Sequence, residues 1–282
     1  MRIQQVTIRT AFFSLVLIIY SFAGQAQAKD SLELLRQFIA ISNGYKQVPL
    51  HLVIEMRNSS NFISSAADTA VLDAEFYLQE NNSYVRFGKA EQVVNDSLAL
   101  LVSEELEEII LFKDAGPVVK RMRSMLGLSL PDSSLKQLAR RYRSSHKLTG
   151  SVSSLSLQSR ALLYGTSLPK ETIELQYDAV KKIPEQVITT QRSLVRIDSA
   201  QYALLKKEAG SAVALPREEN LLVLEGNYFL IREQLTTYIY KKIESSFAGD
   251  VPVLISDRVM RMADGVYVPV KKYASYRLSM ND

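Results

Sequence analysis

Apolar and polar residues alternate with a period of two along several short segments in the first half of the chain. The clearest run is Leu50 to Met56, in which every second residue is apolar and only Val53 breaks the pattern. The alternation recurs over Leu72 to Leu78, and four further apolar runs follow, at 84–87, 92–94, 98–102 and 109–112. Turn residues separate these runs at Asn81 to Ser83, at Asn95-Asp96 and at Glu104 to Leu106. The pattern predicts an antiparallel meander of five or six short strands.

Helical periodicity flanks this meander on both sides. Lys29 to Ser42 carries one apolar stripe and is followed by Asn43-Gly44, a typical helix end. After Asp114, two helices are predicted, one beginning at Pro117 and one capped by Asp132. Their apolar stripes consist of Val118, Met122 and Met125 in the first and Leu135, Leu138 and Tyr142 in the second.

The second half mixes both patterns. The Ser-rich stretch Ser144 to Ser159 is expected to be a loop, and strands are expected at Ile173 to Tyr177 and Val187 to Ile197. Asp198 is placed to cap a helix that reaches Ala209. Residues 232–247 fit either a strand or a helix, and the pattern leaves both open.

The first 28 residues have the features of a cleavable export signal. Arg2 and Arg9 form a charged start, Ala11 to Phe22 is an apolar run, and Ala26-Gln27-Ala28 matches a cleavage site. A membrane span takes about 20 apolar residues, and this run is shorter. We therefore expect a mature chain that starts at Lys29, lies in the periplasm and has no transmembrane span.

Composition excludes several classes of function. The chain contains no Cys, which rules out disulfides, thiolate metal sites, cysteine nucleophiles and lipid attachment after the signal. Without the two arginines of the signal, 32 basic residues face 30 acidic ones, so the mature net charge is +2. This balance gives no reason to expect nucleic-acid binding.

Catalytic motifs are also missing from the sequence. The only histidines are His51 and His146, and no glycine-rich phosphate loop, nucleophile elbow or zinc-protease motif occurs. We expect His51 and Glu55 to be an exposed pair on the wet face of a strand, and His146 to be a solvated loop residue. The sequence therefore predicts a protein that is not an enzyme and that has no cofactor and no metal site.

One segment stands out by its charge. Residues 115–150 contain eight basic residues and only one acid, Asp132, so the local charge is +7. Basic solvent faces of two surface helices would explain this count equally well. The functional alternative is that this segment contacts an anionic partner through Arg140, Arg141 and Arg143.

Five strand-like stretches lie at Tyr84-Val85-Arg86-Phe87, Gln92 to Val102, Glu107 to Phe112, Ile173 to Asp178 and Ile183 to Val187. With them, the chain resembles the periplasmic family of outer-membrane lipoprotein carriers and receptors over about residues 30–200. The resemblance implies an unclosed β-barrel with helices over an apolar cavity. The family's arginine-proline-glycine turn is missing, and residues 201–282 have no counterpart in the family.

The expected fold class is α+β and rich in strands, with a curved antiparallel sheet as an unclosed barrel, helices packed on one face and a C-terminal β-containing extension. The predicted divisions are a signal peptide at 1–28, a carrier-like sheet at 29–200 with a helical insertion at 114–147, and an extension at 201–282. The extension either stands apart or continues the sheet.

Two functions are open at this point. The first is a binding protein that holds an apolar or acyl-chain ligand, a lipid or lipoprotein, between sheet and helices. The second is a structural or adaptor component of a cell-envelope assembly that docks through its basic helices and a sheet edge. Function belongs to sites rather than to folds, so the first hypothesis needs a cavity. Its expected lining is Leu52, Ile54, Phe76, Leu100, Val118, Met122 and Met125.

Overall fold

The computed structural model describes residues 29–79, 82–113, 115–116, 132–149, 152–208, 217–246 and 251–281. Three α-helices lie within them: α1 (Lys29–Gly44), α2 (Asp132–Arg141) and α3 (Ser199–Glu208). The strands of the first half are β1 (Leu50–Ser60), β2 (Val71–Leu78), β3 (Ser83–Phe87), β4 (Ala90–Val94), β5 (Leu98–Ser103) and β6 (Glu108–Lys113). The strands of the second half are β7 (Tyr142–Thr149), β8 (Val152–Ser159), β9 (Glu171–Asp178), β10 (Pro184–Ile197), β11 (Leu221–Leu224), β12 (Asn227–Glu244), β13 (Val259–Arg261), β14 (Tyr267–Pro269) and β15 (Arg277–Asn281).

One 13-stranded sheet dominates the structure. Its strand order is β15-β6-β5-β4-β3-β2-β1-β12-β10-β9-β8-β7, and β11 also pairs with β12. Every neighbouring pair is antiparallel except β15 with β6, which is parallel. Among the described strands no pairing joins β7 to β15, so the sheet is not closed. The predicted fold class, a strand-rich α+β protein with an unclosed sheet, is confirmed.

The long strand β12 connects the two halves of the sheet. Its residues from Gln234 to Glu244 pair with β1 on one side, and those from Tyr228 to Ile239 pair with β10 on the other. This settles the open assignment of residues 232–247, which are strand as far as Glu244. Threonine, tyrosine and isoleucine at 236–240 fit a half-buried pleated surface better than a helix. The strands β11, β12 and β15, all within 201–282, are members of the same sheet.

The register divides the side chains between two faces. Leu52 lies opposite Phe76, and Met56, Tyr238, Val187 and Leu175 are neighbours along the ladder from β1 to β9. We call the side that carries these residues the helical face. The helix α1 packs on it over β8 and β9, and α2 packs beside α1 against Tyr142. The helix α3 lies on the same face near Ile197 and Leu230.

The opposite side is called here the C-terminal face, because residues 251–278 cover it over strands β3 to β6. Tyr84, Val93, Leu100, Ile109 and Leu111 point to this side and are fully or almost fully buried. Four buried residues of the C-terminal segment pack on them: Val253, Ile255, Val259 and Tyr273. The sheet therefore has a core on each of its two faces, built from different parts of the chain.

The loop predicted over Ser144 to Ser159 is wrong, because most of this stretch forms the hairpin of β7 and β8. In β8 the buried and half-buried positions alternate, and Ser153 and Ser159 are themselves buried. Serine is common in loops, yet here it occupies strand positions whose period is set by Leu155 and Leu157. The helical insertion expected at 114–147 ends at Arg141, and residues 117–131 lie outside the described part of the chain.

Candidate ligand-binding surface

An apolar cluster lies on the helical face where α1 ends above β1, β2 and β12. Its buried centre is formed by Leu50, Leu52 and Leu78. Around this centre lie five residues that are only half-buried: Tyr45, Ile54, Phe76, Tyr240 and Ile243. These eight residues are called the apolar cluster below. They come from four segments of chain, because Tyr45 directly follows α1 whereas the others lie on three adjacent strands.

Two tyrosines bring polar atoms into this cluster. The rings of Tyr45 and Tyr240 meet edge to face with their centroids 5.6 Å apart, and their hydroxyl oxygens are 3.4 Å apart. Burial raises the pKa of both tyrosines above the usual value, and the nearby Tyr240 raises that of Tyr45 further. Both hydroxyls therefore stay protonated at neutral pH. Each one keeps hydrogen-bonding capacity beyond the contact that joins them.

A cation stands next to the tyrosine pair in sequence. Lys46 is half-buried, and its ammonium group donates a hydrogen bond to Asn43 Oδ1 at 2.8 Å. Burial lowers the pKa of Lys46. A poorly hydrated ammonium close to the end of α1 favours a nearby anion or hydroxyl acceptor.

The structure brings together three of the predicted cavity residues. Leu52, Ile54 and Phe76 all belong to the apolar cluster. Leu100 does not, since it lies in the core of the C-terminal face and has no exposed surface. Residues Val118, Met122 and Met125 lie outside the described part of the chain.

The position of Leu100 follows from the strand register, because alternate residues of a strand point to opposite faces of the sheet. The ladder that starts at Phe76 runs through Val85 and Gln92 to Leu101, so Leu101, and not Leu100, shares a face with Phe76. A shift of one residue along a strand moves a side chain to the other face. An apolar run such as Leu98 to Val102 does not reveal this parity by itself.

The tyrosines of the cluster were missed by sequence reasoning. Tyr240 lies in the stretch that fitted either a strand or a helix, so its face could not be assigned. Tyr45 follows a helix end and carries no periodic signal of its own. Alternation along a strand at 232–247 puts Tyr238 and Tyr240 on one face, and the register with β1 shows that this is the face of Ile54 and Met56.

The three arginines proposed to contact an anionic partner have different environments. Arg140 and Arg143 are exposed. Arg141 is half-buried, and its guanidinium lies 3.7 Å from the Glu171 carboxylate and 5.2 Å from the ring centre of Tyr142. Tyr142 donates a 2.5 Å hydrogen bond to the same carboxylate oxygen. Burial and the Glu171 charge raise the pKa of Tyr142. Arg141 therefore has an internal partner.

The expectation for His51 is wrong, because this residue is buried rather than exposed on a wet face. Its ring stacks on Tyr77 at 4.0 Å between centroids. Nε2 lies 2.9 Å from Glu75 Oε1, and Nδ1 lies 3.5 Å from Glu244 Oε2. The flanking groups come from β2 and β12, and the pattern of β1 alone does not show them. His146 is exposed as expected, although it lies on β7 and not in a loop.

A buried carboxylate forms a polar anchor on the helical face, at the end away from the apolar cluster. Asp68 is buried and accepts hydrogen bonds from the backbone N–H groups of Ser64 and Ser65, and from Arg232 at 2.6 Å. Burial by itself would raise the pKa of Asp68, but these hydrogen bonds and the Arg232 charge bring it to about 2. This carboxylate fixes the loop between β1 and β2 against β12.

The described residues contain neither a candidate metal site nor a helix that could span a membrane. Within them, no three His, Asp or Glu side chains converge where a metal ion could be held. None of the helices in the described ranges is both long enough and apolar enough to cross a membrane.

The likeness of this chain to known proteins is found among solved structures. No protein-family model matches the chain. A search of curated proteins also finds no match. Among solved structures, the chain is similar to the crystal structure of a LolA superfamily protein from Nitrosomonas europaea, with 8% sequence identity and a TM-score of 0.24. The match covers 78% of this chain and 94% of that one.

Proposed function

We propose that the protein is an exported, non-enzymatic binding protein that holds an apolar or acyl-chain ligand, a lipid or a lipoprotein, between the sheet and its helices. The observation that supports this proposal is the half-exposed state of the apolar cluster. Ile54 and Phe76 lie on interior strands of the sheet and on the face that carries the helices, yet both keep solvent contact. Residues in such positions are usually buried.

A bound acyl chain would stabilise this surface. Removing apolar area from water contributes about 25 cal/mol per Å², or about 0.8 kcal/mol for each methylene group buried. The cluster also offers aromatic rings, which bury large areas with little loss of side-chain entropy. The tyrosine hydroxyls and Lys46 would meet the polar end of an amphiphile. The chemistry of the surface therefore fits a lipid better than a fully polar ligand.

Further parts of this proposal rest on the sequence. The export signal at 1–28 supports a periplasmic location, but it lies outside the described residues. The excess of basic residues at 115–150 supports contact with an anionic partner, in which the exposed Arg140 and Arg143 take part. The absence of catalytic motifs supports a binding role rather than an enzymatic one.

Mass spectrometry of lipids that co-purify with the natively exported protein would identify the ligand. A fluorescent fatty-acid probe then tests the surface, with Phe76→Ala as the informative variant and Phe229→Ala as the control. Phe229 is also half-buried, but it lies near the other end of β12, opposite Leu222 and Arg196. We expect Phe76→Ala to weaken probe binding about tenfold, since a buried aromatic contact is worth over 1 kcal/mol, and Phe229→Ala to leave it unchanged. Equal binding by both variants would contradict the proposal.

The second candidate is an adaptor component of an envelope assembly. One observation favours it, because β7 is an edge strand and no described strand pairs with its outer side. Such an edge offers backbone groups to a partner strand. Arg160 donates its backbone N–H to the Arg141 carbonyl, so every second position from 141 bonds to β8 and His146, which pairs opposite Leu155, has its backbone N–H on the outer side. A His146→Pro substitution would therefore remove one backbone donor from the free edge of β7. If the adaptor function holds, this variant loses its place in the assembly while it binds the fatty-acid probe normally.

A further inference from the structure

Two hairpin tips lie side by side at one end of the sheet. The β7–β8 hairpin ends at the pair of Thr149 with Val152, and β9 and β10 meet at a turn between Asp178 and Pro184. Val152 pairs with Asp178 in the ladder between β8 and β9, which brings the two turns to the same end.

Apolar side chains project from this end into solvent. Val180 is 88% exposed, Leu148 is 61% exposed and Ile183 is 37% exposed. Single exposed apolar residues are common on protein surfaces. Three of them at one end, with the most exposed at the tip of a turn, form an arrangement that favours an apolar contact.

Lysines flank each of these apolar residues. Lys147 precedes Leu148, and Lys181 and Lys182 separate Val180 from Ile183. All three lysines are exposed, and Lys182 lies with its ammonium 5.3 Å from the ring centre of Tyr177. The nearest acids in the chain are Glu185, which is exposed, and Asp178.

Asp178 is engaged in holding the turn. Its Oδ1 accepts hydrogen bonds from the backbone N–H groups of Val180 and Lys181, both at 2.8 Å. These two hydrogen bonds lower the pKa of Asp178. The backbone N–H of Lys182 donates to the Asp178 carbonyl at 2.9 Å, and Lys182 has a φ of 56°. The turn therefore presents Val180 and both lysines on a fixed backbone.

We infer that these two hairpin tips dock the protein onto an anionic lipid bilayer. The lysines are attracted by the negative surface of such a bilayer, and the exposed apolar side chains enter its headgroup region. The pairing of basic and apolar residues on a tip is the chemistry that a membrane surface recognises, because a soluble acidic protein would gain little from Val180 at the apex. This docking does not depend on the acyl-chain ligand proposed above.

Co-sedimentation with vesicles of phosphatidylcholine, with and without phosphatidylglycerol, tests the inference. The unaltered protein should bind only the vesicles that contain phosphatidylglycerol, and this binding should weaken as salt rises above about 0.1 M. Lys147→Gln, Lys181→Gln and Lys182→Gln together should weaken it about a hundredfold, since each lysine near an anionic surface contributes about fivefold. Val180→Ser should weaken it about tenfold through the loss of one buried apolar side chain.

Matched control variants remove the same number of positive charges, or one exposed apolar side chain, at positions outside the two hairpin tips. Lys89→Gln, Lys206→Gln and Lys207→Gln remove three exposed lysines outside the two tips, and Leu106→Ser removes an exposed apolar side chain from the β5–β6 turn, at the opposite end. Both controls should bind like the unaltered protein. The inference is overturned if the unaltered protein does not bind anionic vesicles, if it binds neutral vesicles equally well, or if the control variants lose as much binding as the tip variants. Circular dichroism and thermal unfolding of the tip variants, compared with the unaltered protein, show that they are folded.

Discussion

The two faces of the sheet are both apolar, but the chain treats them differently. On the C-terminal face, residues 251–278 cover strands β3 to β6 so completely that Leu100, Ile109 and Leu111 have no exposed surface. On the helical face, α1 covers β8 and β9 fully but only borders the apolar cluster, where Ile54 and Phe76 stay half-exposed. The C-terminal face is thus a core that the chain covers by itself, whereas the apolar cluster on the helical face still exposes apolar area to solvent.

A buried ion pair shows how firmly the C-terminal face is closed. Arg258 donates to Glu91 Oε2 at 2.8 Å, and each side chain is only 6% exposed. The guanidinium also lies 5.5 Å from the ring centre of Tyr84. Burial, together with the Glu91 carboxylate, raises the pKa of Tyr84 to about 12. No corresponding pair lies within the apolar cluster, whose members are all apolar or aromatic.

The largest expected effect comes from Arg258→Ala. This change leaves the Glu91 carboxylate buried without its charge partner, and removing one partner of a buried pair costs about 3 to 5 kcal/mol. Chemical denaturation should show this loss of unfolding free energy. The double variant Glu91→Leu with Arg258→Met should recover most of it, since apolar residues of similar volume often replace a buried pair without loss. A double variant as unstable as the single one would contradict this account.

The next effect compares one residue from each face. Leu100→Ala should lower the unfolding free energy by about 2 to 5 kcal/mol, because it leaves a cavity in a closed core. Phe76→Ala should lower it by only about 1 kcal/mol, since the side chain is already half-exposed. Denaturation of both variants measures the two values. Similar losses would mean that the two faces are equally well packed, and the distinction between them would fail.

Much of the fold could be predicted from alternation alone. The meander β1 to β6 was predicted because one face of each strand is apolar and tight turns separate the strands. The hairpin β7–β8 was not, because serines at its buried positions hide the period. The C-terminal cover was also missed, since its contacts come from short segments that touch strands more than 140 residues away in sequence. Long-range contacts of this kind leave no periodic trace.

The candidate site was only partly predictable for the same reason. Leu52, Ile54 and Phe76 were found because alternation gave their common face. Leu100 was assigned to them on hydrophobicity, and only the strand register shows that it points the other way. Arg258 and Glu91 look like surface charges in the sequence. Their burial depends on the segment that folds over β4.

The third effect concerns the polar anchor of the helical face. The pKa of Asp68 falls from 3.8 to about 2 on folding, so its ionised form stabilises the folded state above the unfolded pKa, and this stabilisation is lost as the pH falls from about 4 towards 2. Asp68→Asn should therefore cost about 2 kcal/mol at neutral pH. Denaturation across this pH range should show the gap between variant and parent closing at low pH. A gap that stays constant would show that the carboxylate charge is not what holds the loop.

The smallest effect separates the arginines near α2. Arg140 and Arg143 are exposed, so changing both to Gln should alter the unfolding free energy by less than about 0.5 kcal/mol. Arg141→Gln should cost about 1 kcal/mol, because its guanidinium is 22% exposed and lies beside Glu171, whose carboxylate also accepts the Tyr142 hydroxyl. Thermal unfolding of the double variant and of Arg141→Gln tests this order. If Arg141→Gln is as neutral as the other two, all three arginines belong to one solvated patch. If it is not, the contact of Arg141 with Glu171 of β9 is part of the folded structure, and only Arg140 and Arg143 remain available to an anionic partner.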